Sequence, residues 1–300
     1  MNRVRTFWGW VQRTRPWRTF SHFTDVGGGV LSAGMSYQAL FAVFAALWVG
    51  FAIFGIVLTG RPELLQTLID QINLFVPGLI GEHGLVRPAE LIDLQRTFNW
   101  SSAVAGAVLL WVILTWFTGT RRAIRIIFGL DVKQYRNAVL LKLRDLALAI
   151  VFGAAIMVSA ALTVLSSNLT DVVFDWLGWS PESWLLGTMG GLVRYAAVYV
   201  FDIVVLMAMH RFLAEVRVPR LRLLTGCALG AGALLGLKIL GTLLLGGAGR
   251  NPLLAPFVLL IGVLIWFNFI CRVLLLTASW IAAGIDRSRG LPGSAHADWV

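Results

Sequence analysis

Six stretches of this chain are long and apolar enough to cross a lipid bilayer, and no other feature limits its folds so severely: Val30 to Thr59, Trp100 to Thr118, Leu146 to Leu165, Leu185 to His210, Leu223 to Gly246 and Leu253 to Gly284. A helix needs about 20 mostly apolar residues to span a hydrocarbon core of roughly 30 Å. Within hydrocarbon every backbone N–H and C=O must find a partner in the spanning element, which makes helices the expected form. The predicted fold class is all-α, a polytopic integral membrane protein of six transmembrane helices. Composition agrees: 58% of the residues are hydrophobic and 13% charged, against about 45–50% and about 25% in a soluble domain. The first apolar run is too long for the core of a signal peptide and is expected to remain as an anchor.

In a chain of this class the net charge of +10 reads as a topology signal before it reads as a nucleic-acid footprint. Residues 1–29, 121–144, 211–222 and the tail 285–300 hold eighteen lysines and arginines, and the alternate connections hold four. The excess of basic residues places those pieces, and with them both termini, in the cytoplasm. The outer connections carry Glu63, Asp70, Glu82, Glu90, Asp93, Asp171, Asp175 and Glu182, with Trp176, Trp179 and Trp184 at the expected interface. Within the outer segment 62–99, Leu65, Leu68, Ile69, Ile72, Phe75 and Val76 recur at helical steps until Pro77-Gly78. That pattern predicts an amphipathic helix, either a packed connector or a lid.

Three motifs carry a family resemblance. Leu31-Ser-Ala-Gly-Met-Ser-Tyr-Gln-Ala-Leu-Phe-Ala-Val-Phe44, Arg122-Ala-Ile-Arg-Ile-Ile-Phe-Gly-Leu-Asp131 and Gly226-Cys-Ala-Leu-Gly-Ala-Gly-Ala-Leu-Leu-Gly236 together resemble the YihY/BrkB family of bacterial inner-membrane proteins, and Trp266-Phe267 fits as well. The resemblance covers about residues 17–284 and implies six helices in a bacterial cytoplasmic membrane with an envelope-related, transport-like role. Ala45 stands where the family often has proline, and Thr277-Ala278-Ser279 where it often has Gly-Ala-Glu. Family members have carried a ribonuclease BN label. The four histidines, His22, His83, His210 and His296, are too scattered to suggest a zinc cluster, and nuclease activity is not expected.

Ionisable residues inside spans are costly and therefore the leading functional candidates. Arg194, Asp202, Lys238 and Arg272 are the four. At about 1.5 Å per residue from the expected outer ends, Arg194 and Lys238 lie about 14 and 12 Å deep, and Asp202 and Arg272 about 26 and 28 Å deep. The depths pair Asp202 with Arg272, as a structural ion pair or as a gate. Arg194 and Lys238 are left either snorkelling to outer headgroups or holding an anion. Thr242 shares a helical face with Lys238, and Asn268, Arg272 and Ser279 share one on the last span. The candidate substrate site is thus Arg194, Lys238, Thr242 and Asn268. Tyr195, Tyr199 and Asp202 form another polar stripe, and Ser32, Ser36 and Gln38 a further group. Gly226 with Gly230 and Gly232 with Gly236 predict close packing on two faces of the fifth span. Cys227 and Cys271 read as small packing residues.

The cationic stretch containing Arg121, Arg122 and Arg125 is expected to meet anionic lipid headgroups. No nucleotide, metal or covalent-catalysis motif is present, so no cofactor, metal site, catalytic residue or nucleic-acid partner is expected. Gly246-Gly-Ala-Gly-Arg-Asn-Pro252 reads as a turn rather than a phosphate loop. Three function classes follow in order: a transporter or permease for an anionic or amphipathic solute, including lipid or envelope-related ones; a non-catalytic scaffold or envelope-assembly factor; and a membrane enzyme.

Overall fold

The computed structural model describes residues 12, 14–59, 62–76, 79–81, 84–88, 100–131, 139–154, 184–216, 218–245 and 255–285. These form α1 (Arg15–Asp25), α2 (Gly28–Thr59), α3 (Pro62–Phe75), α4 (Trp100–Ile127), α5 (residues 139–154), α6 (Trp184–Ala208), α7 (Arg220–Leu245) and α8 (Ala255–Ile285). Among the described residues there is no strand, and Ile80 and Val86 form an isolated bridge.

Among the described residues, five segments are long and apolar enough to cross a membrane: Gly28–Phe51, Val104–Ile127, Tyr195–Leu213, Arg220–Gly241 and Leu260–Gly284. They coincide with the first, second, fourth, fifth and sixth expected spans. Of the expected third, Leu146 to Leu165, residues 146–154 are helical in α5 and the remainder lies outside the described residues. So do the tryptophan-bearing connection before residue 184, residues 89–99 and most of both terminal tails.

Long-range contacts gather several helix ends into one hub. The Arg15 guanidinium donates to the Trp280 carbonyl at 3.2 Å and stacks 4.4 Å over the Trp280 ring, fastening α1 to the last turns of α8. His22 Nε2 donates to the Ile127 carbonyl at 2.8 Å, bringing in the end of α4. Phe128 meets His210 edge to face at 6.3 Å, bringing in the end of α6. Gly27, at φ 72°, makes the turn from α1 into α2.

The basic residues after Thr118 do not end α4, which continues to Ile127 before Gly129, at φ 65°, stops it. Leu130 N–H bonds to the Arg125 carbonyl at 2.9 Å and Gly129 N–H to that of Ile126 at 3.0 Å. This is the Schellman arrangement that satisfies a helix's last carbonyls. At the end of α6 the helix widens into a π-helical turn, Met209–Leu213, followed by Glu215 at φ 57°.

Helix α2 packs against α4 and α8, and α7 lies between α6 and α8. Gly226, Gly230 and Gly241 of α7 face Ile281, Thr277 and Trp266 of α8, one antiparallel register held along the whole seam. A β-carbon at those three positions would come within 2.2–2.3 Å of the facing side chains, so only glycine admits this approach. Gly232 makes ordinary contact with Tyr199 of α6, and Gly236 has open space. One face of α7 is therefore tightly packed as expected, and the second is not.

Helix α3 is amphipathic as its spacing predicts, with Leu64, Leu68 and Ile69 buried and Glu63, Gln66 and Asp70 exposed. Its apolar face joins Leu47 and Phe51 of α2 and Val263, Trp266 and Phe267 of α8 in a second core cluster. Asn73 closes the following hook by bonding both the carbonyl and the N–H of Ile80, at 2.7 and 3.0 Å. These contacts pack α3 onto α2 and α8.

Candidate functional site

Asp202 and Lys238 meet inside the α6–α7 hairpin. The Lys238 ammonium donates to both carboxylate oxygens of Asp202 at 2.8 Å, and both residues are buried, at 3% and 6% exposure. The pairing corrects the expected partnership of Asp202 with Arg272, whose side chain is exposed on α8. It also removes Lys238 from the cations expected to snorkel outward or to hold an anion on its own.

The correction has a geometric cause. Expected outer span ends give misleading depths, whereas Asp202 and Lys238 stand equally far along the chain on either side of Arg220, the first residue of α7. Side chains on a helix lean toward its N-terminus. Helix α6 runs toward the hub and α7 away from it, so Asp202 leans from the hub while Lys238 leans back toward it. The long lysine stem closes the remaining gap.

Arg194 lies on α6 and Thr242 on α7, but their side chains lie outside the described residues. Asn268 is half-buried on α8. Although Asn268, Arg272 and Ser279 share a helical face, Arg272 is exposed and Ser279 fully buried, because α1 and α7 cover the last turns of α8. On α6, Tyr195 is exposed, while Tyr199 donates to the Ala228 carbonyl of α7 at 3.1 Å, one turn from Asp202. Ser32 and Ser36 bond carbonyls of their own helix, Gly29 and Ala33, at 2.9 and 2.8 Å. Gln38 packs against Gly119 of α4. Cys227 and Cys271 are buried free thiols in the main core. No cluster of three or more potential metal ligands occurs among the described residues.

A second polar network joins α4, α5 and the π-turn at the hub. Arg121 pairs with Asp145 at 2.6 Å, both buried, and Thr118 donates to the same carboxylate at 3.1 Å. Lys142 donates to Thr118 Oγ1 at 3.1 Å and lies 4.8 Å over the Trp111 ring. Burial pushes the Asp145 carboxyl above its ordinary value against the pull of Arg121, and burial likewise lowers Lys142. Arg144 bonds the Glu215 carboxylate and the Phe212 carbonyl. Arg125 bonds the carbonyls of Asp131 and Ala214 at 2.8 and 3.1 Å. Arg121 and Arg125, expected at lipid headgroups, are thus engaged by the protein, and Arg122 is the exposed member of the three. Asp145, Arg144 and Glu215 were not legible as a network. The available signal was an acid at the lip of an apolar run facing a basic stretch.

The family model described as Virulence factor BrkB matches residues 19–298. The chain belongs to the BrkB/YihY family. Inner membrane protein YhjD of Escherichia coli (strain K12) is 26% identical over 274 residues, covering 88% of this chain and 79% of that protein. An uncharacterised protein of Dickeya dadantii (strain 3937) is 26% identical over 306 residues, covering 95% of this chain and 91% of the other. No solved structure matches. With its apolar helices, this member of the family is an inner-membrane protein.

Proposed function

We propose that this family member is a permease-like protein, moving an anionic or amphipathic solute through a six-span bundle whose termini are cytoplasmic, and that the Asp202–Lys238 pair holds its closed state. The buried bidentate pair carries the reading. Two charges inside a membrane bundle are expensive to retain for packing, since an apolar pair of similar volume is often as stable or more so. A lysine satisfied by an internal carboxylate can exchange that carboxylate for an anionic group of a solute, which gives the bundle two electrostatically satisfied states. On this reading the protein performs no covalent chemistry. A scaffold or assembly role is the second reading, favoured by the rigid glycine seam between α7 and α8.

Reconstitution into proteoliposomes tests the proposal with two probes, fluorescent phosphatidylglycerol for flipping and inorganic phosphate for uptake. Wild type is expected to move one of them, and Lys238→Ala to slow it at least ten-fold. Arg194→Ala tests the other cation assigned to the solute. Equal flux from wild type and both variants sinks the anion-site reading.

A further inference from the structure

The π-turn and the start of α7 present a cationic surface that the ion-pair site does not use. Arg211, Arg220 and Arg222 are exposed, and interleaved with them are Phe212 and Leu221, at 59% and 76% exposure. The described acid beside the turn, Glu215, pairs with Arg144. From beneath, the turn is fixed by Arg125 on the Ala214 carbonyl at 3.1 Å and by Val216 N–H on the His210 carbonyl at 3.0 Å. Ala214, Val216 and Val218 are buried. Arg125 and Arg144 thus hold the turn, while Arg211 on it and Arg220 and Arg222 at the start of α7 are exposed.

We infer that this turn is a docking site for an anionic phospholipid: Arg211, Arg220 and Arg222 take the phosphodiester oxygens, and Phe212 and Leu221 enter the acyl layer. Position and chemistry agree on this occupant. The arginines sit at adjoining ends of two membrane-spanning segments, Tyr195–Leu213 and Arg220–Gly241, which is headgroup depth. Guanidinium forks match phosphate oxygens in pairs. The apolar side chains between them need an apolar neighbour that a soluble anion does not supply. The inference replaces Arg121 and Arg125, which face protein, as the headgroup site, and it does not depend on the transport reading.

A surface cation contributes about five-fold in affinity for an anionic membrane, so three predict about a hundred-fold preference for phosphatidylglycerol over phosphatidylcholine. The full chain in micelles of neutral detergent is titrated with each fluorescent lipid, and with inorganic phosphate as competitor. Wild type and Arg272→Gln, an exposed arginine elsewhere, are expected to share the preference, which weakens with salt. R211Q/R220Q/R222Q is expected to lose it, and F212S/L221S to weaken phosphatidylglycerol binding. If the triple variant does not fold, Arg222→Gln is expected to lose about five-fold. An unchanged preference in the triple variant, or in Arg222→Gln where that is the one that folds, overturns the assignment. So does a wild type from which phosphate displaces phosphatidylglycerol at equal concentration while F212S/L221S binds the lipid normally, because the site would then be one for free phosphate.

Discussion

At the residue scale, the Asp202–Lys238 pair makes opposite forecasts for single and double substitution. Lys238→Met takes the ammonium from a buried carboxylate, and Asp202→Leu takes the carboxylate from a buried ammonium. Each is expected to cost about 3–5 kcal/mol in unfolding experiments in micelles. Replacing both together leaves no uncompensated charge, and D202L/K238M is expected to be within about 1 kcal/mol of wild type or above it. A double variant as unstable as the sum of the singles would show that the pair is not the interaction each residue makes. Such variants also separate stability from function: a stable D202L/K238M that has lost flux places the charges in the transport cycle. That both residues are candidates was legible, since an ionisable group inside an apolar run stands out. Their partnership was not, because depth counted from an assumed span end carries an error of several residues. The lean of side chains toward the N-terminus of each helix then decides which groups meet.

At the element scale, helix α7 shows what a motif of small residues specifies and what it leaves open. Gly226 and Gly230 bring α7 against Ile281 and Thr277, whereas Gly236, spaced identically from Gly232, faces open space. Sequence spacing marks both faces as able to pack closely, and the neighbouring helices decide which one does. Gly230→Ala would set a β-carbon 2.2 Å from Thr277 Oγ1, on a stiff β-branched side chain bonded to the Val273 carbonyl. Overpacking of this kind costs about 1–3 kcal/mol. Gly236→Ala meets nothing within 4 Å and gains up to about 1 kcal/mol of helix propensity. Melting of the two variants in one detergent checks the contrast, and equal melting would mean that α7 does not sit in this register. The length of α4 is a second such lesson. A run of arginines was expected to end the span near Thr118, but Asp145 and the Ala214 carbonyl supply partners, and the helix continues to Ile127. The end of a helix thus depends on partners that only the fold brings within reach.

At the scale of the whole molecule, connectivity bears on the number of crossings. Arg15 holds the start of the chain to Trp280 near its other end, so the described helices begin and finish at the same hub. Helix α4 ends at the hub, and α6, which also ends there, starts at the far end of the bundle. The chain between Ile127 and Trp184 therefore joins the two ends, and its sequence includes the apolar run Leu146 to Leu165. We propose that this passage, with the five apolar helices found among the described residues, makes six crossings, and that the excess of basic residues at the hub places it on the cytoplasmic side. Both native cysteines are buried, so single cysteines introduced by substitution report accessibility to an impermeant maleimide on intact spheroplasts. Asp70→Cys and Glu182→Cys are expected to label from outside, and Arg122→Cys and Ser288→Cys only after permeabilisation. Should Glu182→Cys behave like Arg122→Cys, the segment between them does not cross and the six-span topology fails. If all four sites reverse together, the count stands and the orientation is inverted. Placing Arg122→Cys inside would also put the exposed arginines of the hub against the leaflet facing the cytoplasm, where anionic headgroups are available to them.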